Sequence, residues 1–128
     1  MDIRTRLSVL LALAAVLGAC PAVAQTPAAV TPAVIAQGDS IFHGKGNCYA
    51  CHGTNAQGAV GPNLTDAEWI HSDGSYDAIV KQVTTGVPKE QSKSGIPMPP
   101  KGGSTITDDE VKAVAAYVYS LSHTKPGT

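Results

Sequence analysis

Aromatic side chains are scarce: among 128 residues there is one Phe and one Trp. A domain of this size buries only about two thirds of the surface its unfolded chain exposes, so its core is thin, and here aromatic mass does not compensate. Positive charge is not in excess either. Nine Lys and Arg stand against ten Asp and Glu, which leaves no basic footprint for nucleic acid. The longest apolar run, Leu7 to Ala19, has 13 residues, whereas an ordinary membrane-spanning helix needs about 20. No useful stretch alternates apolar and polar residues, so strands are not expected.

What is present begins with the pattern of an export signal. Arg4 and Arg6 precede the apolar run, and Ala22-Val23-Ala24 supplies a small-residue cleavage site. Cleavage there gives residues 1–24 as signal peptide and a mature chain from Gln25, with seven Lys against nine Asp and Glu. Leu17-Gly18-Ala19-Cys20 resembles the lipobox of bacterial lipoproteins, an alternative that leaves a lipid on Cys20. Both routes predict a domain outside the cytoplasm, in the periplasm, membrane-bound only if lipidated.

The remaining two cysteines stand in Cys48-Tyr49-Ala50-Cys51-His52, the C-x-x-C-H arrangement of covalent c-type haem attachment. Two thiols at this spacing reach the two vinyl groups on one porphyrin edge, and the following imidazole lies beneath the ring, where it can bind iron. Two other readings compete. A thioredoxin-type dithiol normally sits beside a βαβ pattern, and none occurs here. A structural zinc needs four ligands, and the third cysteine, Cys20, falls in the signal. A covalently held porphyrin would also fill the gap left by the missing aromatics.

Helical signals place this motif. Thr31-Pro32 is a start, Thr as N-cap and Pro at the first helical position. Val34, Ile35, Gly38, Ile41 and Phe42 then share one face. Gly38 weakens a helix, and close approach of another helix would explain it. Gly44, Gly46 and Asn47 end this helix, and 53–62 reads as loop. Thr65 with Glu68 has the form of a capping box, flanked by Leu64 and Trp69 as a staple, predicting a short helix up to 72–74. Another helix is expected over 75–85, with Tyr76, Ile79, Val80 and Val83 on its apolar face and Gly86 as its stop. Residues 87–104 hold four prolines and three glycines, an extended, restricted loop. Thr107 with Glu110 opens the last helix, whose stripe is Val111, Val114, Ala115, Val118 and Leu121. The domain is expected to be all-α.

Haem held by one histidine keeps an open iron face and suits gas binding, sensing or peroxide chemistry. A Met/His pair closes it and makes an electron carrier. Met98, in Gly95-Ile96-Pro97-Met98-Pro99-Pro100, is the only thioether after the signal, and three prolines stiffen its loop. Met commonly fills apolar gaps, but after a haem motif and between prolines the ligand role is favoured. His43, His71 and His123 are the alternatives for a bis-His site, and each is expected to be an ordinary surface residue.

Together, Gly38-x-x-x-Phe42, the Cys48–His52 motif, Gly61-Pro62-Asn63-Leu64, Met98-Pro99 and a last helix carrying Tyr117 resemble class I cytochrome c. The likeness runs from about Gln37 to His123. Leu-Thr-Asp-x-x-Trp and Met-Pro-Pro-Lys-Gly-Gly look like small bacterial cytochromes and the haem-c domains of terminal oxidases. The resemblance implies a cytochrome c fold over 37–123, after a lead-in and helix start at 25–36 and before a tail at 124–128. It implies first and last helices that cross near Gly38, Phe42 and Tyr117, and a Pro62 carbonyl that accepts from His52 Nδ1–H. The cofactor is then one haem c on Cys48 and Cys51, its iron held by His52 and Met98. Trp69 and Tyr76 are open to two roles, a hydrogen bond to a haem propionate or plain core packing. The expected function is one-electron transport by a monomer, not catalysis, to or from a membrane oxidase or a periplasmic dehydrogenase.

Overall fold

The computed structural model describes residues 26–123; the expected export signal with Cys20, and the tail at 124–128, lie outside them. Four helices carry the fold: α1 Pro32–His43, α2 Tyr49–His52, α3 Tyr76–Thr85 and α4 Asp108–His123. Two short 3₁₀ turns, Lys89–Gln91 and Pro100–Gly103, punctuate the loop between α3 and α4. Among the described residues there is no strand, and the one bridge pairs Val87 with Met98. The all-α expectation is met.

Local chemistry sets the helix ends. Thr31 is extended, its hydroxyl accepts from the Val34 N–H at 3.3 Å, and Pro32 opens α1. Ser75 caps α3 in the same way, through Ala78 N–H, and Gly86 closes it. At the start of α4 the capping box is complete: Thr107 N–H donates to Glu110 Oε2 at 2.9 Å, and Glu110 N–H to Thr107 Oγ1 at 3.3 Å. Each of these bonds satisfies a donor that the helix itself leaves unpaired.

The helix expected after Thr65 does not form; residues 65–72 are a series of bends. Asn63 is the reason. Its Oδ1 accepts from both the Thr65 N–H and the Thr65 hydroxyl, each at 2.8 Å. The hydroxyl meant to cap Glu68 is thus turned back toward Asn63, and Asp66 Oδ1 takes the Glu68 N–H at 3.0 Å instead. Local side-chain bonds of this kind compete with helix.

The core lies where α1 and α3 pack on α4. Phe42 is fully buried and meets Tyr117 edge-on, with ring centroids 5.3 Å apart. A Cβ built on Gly38 would overlap the Ala113 carbonyl and stand 2.8 Å from Tyr117 Cβ. Glycine therefore lets α1 and α4 touch backbone to backbone, as the sequence pattern implied. Tyr76 is buried and its hydroxyl donates to the Lys112 carbonyl at 3.3 Å, tying α3 to α4.

Candidate functional site

The haem-type motif forms α2, a single helical turn entered from Gly46 and Asn47. Gly46 has no room for a side chain, since a Cβ there would come within 3.3 Å of Cys48 Sγ and 2.7 Å of the Ile41 carbonyl. Cys48 is half-buried and Cys51 exposed. His52, at the end of the turn, is 8% exposed.

Loop 53–64 folds around that histidine. Gly53, with φ +84°, breaks the helix, and Gly58 N–H returns to the His52 carbonyl at 2.8 Å. Gly61 N–H reaches the Cys51 carbonyl at 2.8 Å, and a Cβ on Gly61 would press on the imidazole at 3.0 Å. His52 Nδ1–H donates to the Pro62 carbonyl at 2.9 Å, the bond that the resemblance implied. Burial lowers the pKa of the ring below the ordinary histidine value, with the Pro62 contact opposing. A neutral ring whose Nδ1 carries the proton leaves the Nε2 lone pair for a metal.

Met98 reaches the same cleft from the other side of the sequence. It is half-buried against the core. Its backbone exchanges both hydrogen bonds with Val87, N–H to carbonyl at 2.8 and 3.0 Å. Sequence reasoning credited the prolines with stiffening this loop and missed Val87. The signal was only a Gly-Val pair after a helix, legible once Met98 is seen to pair with it.

The cleft measures about 1260 Å³ counting its open mouth. Phe42, Leu64, Ile79, Val83, Val114 and Val118 form apolar walls; Cys48, Cys51, His52 and Met98 also line it. This is a suitable donor set for a covalently held haem: two thiols at one edge, one neutral imidazole and one thioether among largely apolar walls. Of the other histidines, His71 borders the cleft at its exposed rim, while His43 and His123 do not line it. His43 is tied to the Thr54 and Asp39 carbonyls, and His123 to the Tyr119 carbonyl. Trp69 stands at the cleft against Gly74, and Tyr76 lies outside it.

Comparison with known proteins agrees with this geometry. Residues 33–118 match the family described as cytochrome c oxidase, cbb3-type, subunit III. The chain is 41% identical over 92 residues to the cbb3-type cytochrome c oxidase subunit CcoP of Rubrivivax gelatinosus, covering 71% of this chain and 27% of that protein. It is 36% identical over 91 residues to subunit FixP of Sinorhizobium medicae, covering 69% and 30%. It thus spans about three tenths of the length of the curated relatives it matches. Cytochrome cL of the marine methylotroph Methylophaga aminisulfidivorans shares the fold, with a TM-score of 0.58 at 24% identity over 73% of this chain and 57% of that one.

Proposed function

The chain belongs to the cbb3-type cytochrome c oxidase subunit III family, an electron-transfer domain with covalently bound haem c, and from there we propose a one-electron carrier of the periplasm. In this reading the haem domain is 37–123, behind a signal at 1–24. Cys48 and Cys51 hold the porphyrin through thioethers, His52 Nε2 is the proximal ligand and Met98 the distal one. The bound haem supplies the one-electron couple. His52 is kept neutral and oriented by Pro62. Met98, held by Val87, stands ready to close the second face and keep other ligands out. The side chains of Leu64, Ile79, Val83 and Val118 exclude water.

One observation carries the proposal: His52 and Met98, far apart in sequence, line one apolar cleft, each oriented by a backbone hydrogen bond. The visible spectrum tests it. The ferric protein is expected to show the weak red band of a sulfur ligand, and the ferrous protein to ignore carbon monoxide. Met98→Ala should lose the band and bind the gas. A wild-type protein that binds carbon monoxide readily would favour an open-site sensor or peroxidase-like domain instead.

The relatives being oxidase subunits favours a membrane oxidase over a dehydrogenase as partner. Lys81, Lys89 and Lys93, in the segment that leads to Met98, are exposed, whereas Lys101 is paired with Asp108 at 2.8 Å. Transfer to an oxidase that offers an acidic patch should therefore slow as ionic strength rises. A rate that stays flat from low to high salt would remove this docking face.

A further inference from the structure

Gly86 closes α3 with φ +71° and ψ −169°, a conformation essentially confined to glycine. A Cβ at this position would overlap the Met98 carbonyl oxygen and lie 2.8 Å from Pro100 N and 2.9 Å from the Pro99 carbonyl carbon. Val87, the next residue, makes the two-way backbone bridge to Met98. The chain bearing the thioether therefore rests directly on the end of α3, without an intervening side chain.

α3 is itself well anchored. Ile79 and Val83 are buried in the core, and Tyr76 is bonded to the α4 backbone. The stretch just before Met98 contrasts with it: Lys93 to Pro97 is exposed, and a Cβ on Gly95 would meet nothing within 4 Å. Met98 thus takes its position from the helix end and not from the loop that leads to it.

We infer that Gly86 is a positioning residue for Met98, setting where the thioether stands relative to His52 through the contact of its bare backbone with Met98–Pro100. The inference rests on the reading of Met98 as the distal ligand. A side chain at 86 would push the Met98 backbone away from α3 and strain the Val87 bridge, drawing the sulfur off its ligand position.

Gly95 provides the control, because it too has φ +71°. Gly86→Ala and Gly95→Ala both place a side chain at positive φ, and only the first adds the collision. The full-length haem-loaded protein and both variants would be compared by ferric visible spectrum, carbon monoxide binding to the ferrous form, and far-UV circular dichroism. Expected is loss of the red band and gain of carbon monoxide binding in Gly86→Ala at unchanged helicity, with Gly95→Ala like the wild type. Should Gly86→Ala fail to fold, Val87→Pro decides, since it deletes one bridge hydrogen bond without adding bulk at 86; a weakened band is then expected. A wild-type band that persists unchanged in Gly86→Ala, in Val87→Pro where that variant decides, or that falls equally in Gly95→Ala, overturns the inference alone. A wild type without the band overturns the Met98 reading, and this inference with it.

Discussion

Two glycines show how much depends on single residues without side chains. Gly61 leaves room for the His52 ring, and Gly38 lets α1 lie against α4. At Gly38 the obstacle to a side chain is the Ala113 backbone, which cannot swing aside as a flexible side chain could. Overpacking of this kind costs about 1–3 kcal/mol, and the rigid obstacle puts Gly38→Ala at the upper end. Urea unfolding of the haem-loaded protein measures it; a midpoint equal to wild type would mean the helices slide apart freely. Gly38 was legible from sequence because a glycine in an apolar stripe demands a reason. Gly61 lies in a loop, where glycine is ordinary, and Gly86 reads from sequence only as a helix stop; the neighbouring backbone reveals what else each is needed for.

At the scale of elements, His43 links the end of α1 to the turn after α2. Its Nε2 faces the Thr54 carbonyl at 2.6 Å, while Nδ1 faces the Asp39 carbonyl at 3.0 Å and the Asp39 carboxylate at 2.8 Å. Tyr49 of α2 stacks on the ring, and Tyr117 of α4 meets it edge-on. With acceptors at both nitrogens, only the imidazolium can donate to both. The Thr54 and then the Asp39 backbone contacts accordingly raise the His43 pKa above its ordinary value of 6.5. A raised folded-state pKa adds stability that is present in full below pH 6.5 and is lost as pH climbs through the higher folded value. Thermal midpoints should therefore fall between pH 6 and 8 by more in the wild type than in His43→Gln. Identical slopes would show that the ring carries no such linkage. His43 is exposed, as expected of a surface side chain, and in addition ties two elements together. The two capping boxes teach the same lesson: Thr107 and Glu110 form theirs, whereas Thr65 and Glu68 do not, because Asn63 stands two residues before Thr65 and takes its hydroxyl.

For the molecule as a whole, the cofactor is expected to stand in for the missing aromatics. Val60, Ile70 and Ile96 line the cleft and are 44%, 44% and 51% exposed, and a side chain of this kind gains about 1.5–3 kcal/mol when fully buried. A domain's total stability is only about 5–15 kcal/mol, so haem contact with part of this wall is a large share of it. Cys48→Ala/Cys51→Ala, produced without attached haem, should melt well below the haem-loaded protein in far-UV circular dichroism. Equal midpoints would mean that α1, α3 and α4 are sufficient by themselves. The lean core makes the first outcome the expected one.

By itself, the sequence determined α1, α3 and α4, the caps at Thr31 and Thr107, the contact face marked by Gly38, and the family through the Cys48–His52 motif. These follow from short-range chemistry: side-chain periodicity, the first-turn donors, and haem-binding residues within four positions of one another. Only the tertiary structure decided that Met98 rests on Gly86 and Val87, that Gly61 clears space for His52 and that His43 is a tie. Each of these turns on which backbone atoms come within about 3 Å of one another after folding, or on which of several nearby polar groups wins a hydrogen bond. No spacing along the chain encodes either.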